Sequence, residues 1–224
     1  MKLAFKIVVL VIILSCGCKP YSEVFERTKL NIQIDSNYLS NNKIERIIKP
    51  YKEGLIEEMS AVIGHSTASV EKNRPSSALG NFLADAILEE TKEKHPYAEI
   101  CLLNYGGIRS TIDSGNITIG DIFEVLPFEN EIVLLKLPSE QISELISFIK
   151  SKGGEPFTKE LITLKKKSPY WVVTNDYMAN GGDDYSILKK STERIDTGIK
   201  LRDAIISYIQ KNKVVKYDFN KREL

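Results

Sequence analysis

Helical and strand periodicities alternate along this chain, and the alternation limits it to folds in which helices pack on a sheet. The run NNKIERIIKPYKEGLIEEMSAVI (41–63) spaces Ile44, Ile47, Ile48, Tyr51, Leu55, Ile56 and Met59 along one helical face, with Pro50 and Gly54 placed to bend or split it. TASV (67–70) is strand-like. Ser76 and Ser77 offer N-caps for ALGNFLADAILEETKEK (78–94), whose Leu79, Phe82, Leu83, Ala86 and Ile87 make a second apolar stripe. AEICLLN (98–104) and EIVLLKL (131–137) read as buried strands, and PSEQISELISFIKS (138–151) as a helix opened by Pro138 and Ser139. LITLKKK (161–167) and YWVVT (170–174) predict further strands, and GIKLRDAIISYIQKN (198–212) a closing amphipathic helix. The strands do not follow a simple strand–helix–strand order. The expected fold class is therefore α+β, a mixed sheet flanked by helices. No repeat of fixed period and no low-complexity segment interrupts it.

The N-terminus fixes a compartment. In MKLAFKIVVLVIILSCGC, Lys2 and Lys6 give a positive start, Ile7 to Leu14 form an unbroken apolar run, and small residues follow. That is an export signal, too short to span a bilayer as a stable helix. Cys16 follows Ser15, with Ile13 three positions before it, an arrangement that resembles a bacterial lipobox, in which the cysteine is lipidated and becomes the mature N-terminus. The expected organisation is a signal peptide over residues 1–15 and a single domain over 16–224, exported and held to a membrane by lipid on Cys16, facing the periplasm or the cell surface. Cys18 is the rival acceptor. An ordinary cleaved signal with an incidental cysteine is the plainer alternative.

Without residues 1–15, which hold two lysines, 29 basic residues face 30 acidic ones. Such a balance steers the chain toward no nucleic acid. Three cysteines, two of them in the signal region, make no disulfide framework, and Cys101 in EICLLN reads as a buried core thiol.

Three loops that follow strands hold the unusual chemistry. In NYGGIRS (104–110), adjacent glycines let backbone approach a ligand and Arg109 supplies a planar fork of donors for phosphate or carboxylate. A tight turn with a surface arginine is the other reading of that motif. In VLPFENEIV (125–133), Phe128 and Asn130 sit in a proline-containing loop, where a phenylalanine is by composition more often core. In NDYMANGGDDYSIL (175–188), Tyr177, Asn180, Gly181, Gly182 and Asp183 put an aromatic platform beside a polar, close-approach loop.

Taken together, RPSSALGNFLADAI, NYGGIRSTIDSGNITIGDIFEVLPFEN and TNDYMANGGDDY occur in the order and approximate spacing of the C-terminal, substrate-recognising domain of the 5'-nucleotidase and UDP-sugar hydrolase family. The resemblance covers roughly residues 44 to 210. It implies a 5'-nucleotidase C-terminal domain-like fold that closes over a nucleotide whose base lies between two aromatic rings. Phe128 and Tyr177 match the rings, Arg109 an arginine that grips phosphate, and Asn104, Asn130 and Asp183 polar residues that contact base or ribose. Arg74 matches a second family arginine, one residue closer to Gly80 than in many members. Two further departures are Tyr177, where phenylalanine is usual, and Glu129, where the family's loop has glycine.

The resemblance also implies a two-metal N-terminal domain that this sequence lacks. Its two histidines, His65 and His95, have no partner at metal-ligand spacing, so no cofactor is expected in this chain and divalent metals only in a partner. Two readings follow. Either the chain is the nucleotide-recognition subunit of a split, secreted 5'-nucleotidase-type hydrolase, inactive alone and completed by a separate metallophosphatase chain, or it is a non-catalytic nucleoside- or nucleotide-binding lipoprotein.

Overall fold

The structure, a computed structural model, describes residues 42–164 and 169–224. Residues 1–15, Cys16 and Cys18 lie outside them. A compact unit runs from Arg46 to Leu224; of the unit before it, only residues 42–45, the first turn of helix α1, are described.

Helix α1 (Asn42–Met59) continues through Pro50. The ring removes one backbone hydrogen bond, and the carbonyl it frees belongs to the exposed first half of the helix, which is open to solvent. Strand β1 is Val62–Ser66, earlier than the TASV segment read as a strand. Ile63 and Ser66 turn inward there, and a side chain at Gly64 would meet the carbonyl of Lys213 at 2.9 Å. In TASV itself Val70 makes a single bridge with Ile112, and Thr67 donates to the carbonyl of Val215 at 3.3 Å. Helix α2 (Ala78–Lys94) is capped by Ser77, whose Oγ accepts from the Gly80 amide at 3.0 Å. The chain then runs through β2 (Ile100–Cys101), β3 (Gly115–Thr118), α3 (Ile119–Val125), β4 (Glu131–Leu137) and α4 (Ser139–Ser151). It closes with β5 (Tyr170–Asn175), the one-turn helix α5 (Asp176–Ala179), β6 (Glu193–Lys200), α6 (Leu201–Asn212) and β7 (Val214–Val215).

Two sheets result, in the orders β3-β1-β7 and β2-β5-β4-β6. In the larger, β2 and β5 are parallel while β4 is antiparallel to both β5 and β6. Strand β4 buries both faces, so its sequence is a continuous apolar run rather than an alternation. Ile132 and Leu134 enter a core with Leu79, Leu83 and Ile87 of α2 and Ile205 and Ile209 of α6. Val133, Leu135 and Leu137 enter a second core with Ile142, Leu145 and Ile149 of α4. The architecture is the expected mixed sheet with helices on both faces.

Two strand expectations are corrected. Leu161 ends a short 3-10 turn and residues 162–164 are not extended, because Ile162 and Thr163 donate back to Lys159 and Glu160; residues 165–168 lie outside the described set. Conversely, β6 was not anticipated. Only Ile195, Thr197 and Ile199 alternate as half-buried positions among charges, and pairing with β4 makes the strand.

Candidate functional site

The site is assembled at the ends of β2 and β5, parallel neighbours that finish together. Beyond β2 the chain passes Asn104 into the single turn Tyr105–Gly107. Asn104 is only 5% exposed, and its amide is shared between two loops. Its Oδ1 accepts from Asn175 Nδ2 at 3.0 Å, and its Nδ2 donates to Asp183 Oδ2 at 2.9 Å. A side chain at Gly107 would strike Asn104 Oδ1 at 2.8 Å, which is why the second glycine of NYGG is needed.

Asn175 ends β5 and caps α5, accepting from the Met178 amide at 2.7 Å. That cap projects Tyr177 outward, 45% exposed. The backbone then turns back through Gly181 at φ 86° and Asp183 at φ 50°, conformations that glycine and aspartate tolerate best. A Cβ on Gly182 would lie 2.5 Å from the Tyr177 ring. The turn thus brings Asp183 against the tyrosine: the Tyr177 hydroxyl donates to Asp183 Oδ1 at 2.9 Å and accepts from the Asp183 amide at 3.2 Å. The hydroxyl that distinguishes Tyr177 from phenylalanine has its partner here. Each carboxylate oxygen of Asp183 holds one protein donor and keeps lone pairs for a ligand hydroxyl.

The third wall is the loop after α3. Phe128 is 47% exposed, unlike a core phenylalanine, and the Arg109 guanidinium lies 5.9 Å from its ring centroid. Glu129 is not at positive φ, so the loop does not need the family's glycine. Its carboxylate instead pairs with Arg202, a bond that holds Glu129 below the usual carboxylate range. Arg202 also stacks on Phe123 at 3.8 Å and donates to Leu126 O at 3.3 Å, and Lys200 donates to Glu129 O at 3.1 Å. Asn130 completes the loop, its carbonyl accepting from the Leu201 amide at 3.0 Å.

Asn104, Gly106, Arg109, Phe128, Asn130, Tyr177 and Asp183 line one cavity of about 320 Å³. Six of the seven binding residues expected from the sequence meet there. The seventh, Arg74, does not line it. Its guanidinium sits 4.6 Å from the Tyr105 ring centroid, donates to the carbonyl of Lys152 and pairs with Glu155 at 3.3 Å. Glu155, which also accepts from the Tyr105 amide, is 4% exposed, and burial pushes its carboxyl above the ordinary range. Sequence reading missed Tyr105, Glu155 and Asn175. Asn175 carried a signal, an N-cap residue ending a strand; Glu155 carried none, because its partners are distant in sequence.

The histidines do not gather. His65 is exposed on β1, and His95 caps α2 with Nδ1 3.0 Å from the Tyr97 hydroxyl. Among the described residues no three of His, Cys, Asp and Glu are placed to hold a metal ion, so the family's metal pair does not fit them. Cys101 is a free, fully buried thiol that burial pushes up in pKa. No described helix is long and apolar enough to cross a membrane.

Fold and cavity together bring two exposed rings, an arginine and a carboxylate held by Tyr177 and Asn104 into one cleft at strand ends. Residues 62–162 match the family model of the 5'-nucleotidase C-terminal domain. The trifunctional nucleotide phosphoesterase protein YfkN of Bacillus subtilis is 28% identical over 75% of this chain, and a 5'-nucleotidase of Diplobatis ommata is 25% identical over 86%. The chain spans only 14% and 42% of those two proteins. Among solved structures, a 5'-nucleotidase precursor from Thermus thermophilus aligns at a TM-score of 0.66 and 26% identity, over 80% of this chain and 42% of that one. The NAD nucleotidase of Haemophilus influenzae shares the fold at a TM-score of 0.56 and 18% identity, over 78% of this chain and 39% of that one.

Proposed function

We propose that this chain is the nucleotide-recognition part of a split 5'-nucleotidase-type phosphoester hydrolase, whose two-metal site belongs to a separate metallophosphatase chain. The observation that supports it best is the single cavity in which Phe128, Tyr177, Arg109 and Asp183 converge. In this reading the base stacks between the two rings, and the ribose hydroxyls donate to Asp183, already oriented by Tyr177 and Asn104. Arg109 holds the 5'-phosphate, and Asn104 and Asn130 meet polar edges of base or ribose. Arg74 acts from behind, fixing the Tyr105 turn through Glu155. The metal pair supplies activated water and charge for phosphoryl transfer when the partner brings it; this chain binds and orients.

Two features support a partner. The relatives continue well beyond the length this chain matches. Ile47, Ile48, Tyr51, Leu55 and Ile56 of α1 are each more than half exposed, an apolar face of the kind that marks an interface. The absence of a metal cluster among the described residues equally suits the second reading, a non-catalytic nucleotide-binding lipoprotein.

Calorimetric titration with adenosine and AMP tests the site. Phe128→Ala or Tyr177→Ala should weaken adenosine about tenfold to hundredfold, the worth of roughly 1–3 kcal/mol of stacking. Arg109→Ala should weaken AMP far more than adenosine. Wild-type protein that binds neither ligand, alone or with its partner, refutes the assignment. Export and lipidation at Cys16 belong to the same proposal: Cys16→Ala should move the protein from the membrane to the soluble fraction, and unchanged membrane retention would point to Cys18 or to another attachment.

A further inference from the structure

Helix α1 stands away from the domain it opens. Every residue from Arg46 to Glu58 is exposed, and only Met59 is half-buried, where a side chain on Gly120 would meet its carbonyl at 3.1 Å. A free helix of this length is marginal in water, and Pro50 and Gly54 inside it weaken it further. Ile47, Ile48, Tyr51 and Leu55 nevertheless share one face, and at 77% exposure Tyr51 shows that no described residue covers it. Charge is segregated along the same helix. From Arg46 to Lys52 every charge is positive, on Arg46, Lys49 and Lys52; from Glu53 to Glu58 every charge is negative, on Glu53, Glu57 and Glu58. Lys49 and Glu53 pair at 3.7 Å across the boundary, and the other four form no ion pair among the described residues. The last turn holds carboxylates and no cation, at the end where the helix dipole favours positive charge. The pattern works against a helix standing alone.

Two such helices laid antiparallel remove each of these costs. The basic half of each lies beside the acidic half of the other, the two dipoles oppose, and both apolar stripes are covered. A parallel pair would set like charge beside like charge along its whole length. We propose that α1 is a self-association surface on which a second copy of this chain docks antiparallel. Tyr51 falls near the twofold axis, and Ile47 and Ile48 of each copy meet Leu55 of the other. An anionic membrane surface fits less well, because it repels the acidic half. Each side of the interface is one helix about 27 Å long, small for a protein contact, so association is weak and depends on concentration. In dilute solution the subunit is monomeric, and its unfolding does not report the pairing. The inference goes beyond the nucleotide reading and does not rest on it.

The test is sedimentation equilibrium of the purified chain, with circular dichroism and thermal melts of each variant as the check on folding. Wild-type protein should pass from monomer to dimer across about a hundredfold range of concentration. Lys49→Glu with Lys52→Glu makes the charged stretch mostly acidic, and Glu57→Lys with Glu58→Lys makes it mostly basic; each double variant should weaken dimerisation about tenfold or more. Mixed in equal amounts, the two should dimerise again as a one-to-one pair. Wild-type protein that stays monomeric throughout overturns the inference and leaves α1 free for a different protein. Dimerisation that both variants keep places the contact elsewhere and overturns it as well. Should the variants dissociate but fail to recombine, the reversals act only within the helix and the proposal falls. Capture of a monomeric wild type by vesicles rich in phosphatidylglycerol would likewise overturn it, giving the face to a membrane. None of these outcomes bears on nucleotide binding.

Discussion

Tyr177, Gly182 and Asp183 show how single residues set this site. Gly182 leaves room for the tyrosine ring, and the left-handed turn that follows swings Asp183 onto the tyrosine hydroxyl. None of these groups is strongly buried, so their worth lies in orientation: Tyr177 and Asn104 hold the Asp183 carboxylate in one setting. Glu155 is the opposite case, a buried carboxyl whose bonds to Tyr105 and Arg74 only partly offset desolvation. Its folded pKa lies above its unfolded value, so the folded state binds the extra proton and stability falls as pH rises from about 4.5 through the folded pKa. Comparing urea unfolding of wild type and Glu155→Gln from pH 4 to pH 7, the wild-type stability relative to the mutant should decline across that window. A difference that grows with pH would mean the Arg74 pairing outweighs the burial.

Among the elements, α1 and α2 make an instructive pair, because both present apolar stripes in sequence and only one is buried. Leu83 of α2 is 0% exposed between the sheet and α6, whereas Leu55 of α1 is 55% exposed. The same substitution should therefore have different consequences. Leu83→Ala should cost about 2–5 kcal/mol, from lost burial plus the cavity left behind. Leu55→Ala should stay within roughly 0.5 kcal/mol, since alanine removes little buried area and is the better helix former. Chemical denaturation of the isolated chain measures both. A penalty above about 1 kcal/mol at Leu55 would mean that the α1 face is covered within the chain and is not free for another protein.

At the scale of the molecule, a sheet packed on both faces holds three loops so that their side chains converge on one cavity, and among the described residues no three of His, Cys, Asp and Glu gather to hold a metal ion. The purified chain with Mn²⁺ or Zn²⁺ should release no phosphate from AMP or ADP above buffer. Adding a metallophosphatase chain of the same organism that lacks this domain should restore hydrolysis. Turnover by the isolated chain, surviving removal of contaminating phosphatases, would require a catalytic site that the described residues do not contain.

The sequence by itself determined the α2 stripe, the continuous apolar runs of β4 and β5, the Ser77 cap and the loop motifs, because each is a local pattern whose cause lies within a few residues. It also marked Asn104, Arg109, Phe128, Asn130, Tyr177 and Asp183, residues of unusual type in turn-forming surroundings. Tertiary structure alone decided the rest. Strand β6 is too polar to declare itself and exists through its ladder with β4. The exposure of α1 depends on what packs nearby, since an apolar stripe states only that a face can be buried. Whether Phe128 was core or cleft, and that Arg74 stands behind Tyr105 outside the cavity lining, rested on residues brought from far along the chain: Arg202 against Glu129, Glu155 against Arg74, and Lys72 against the carbonyl of Ile108. Pairings of that kind leave no periodic trace in sequence, because distance in space sets their energy and separation along the chain does not.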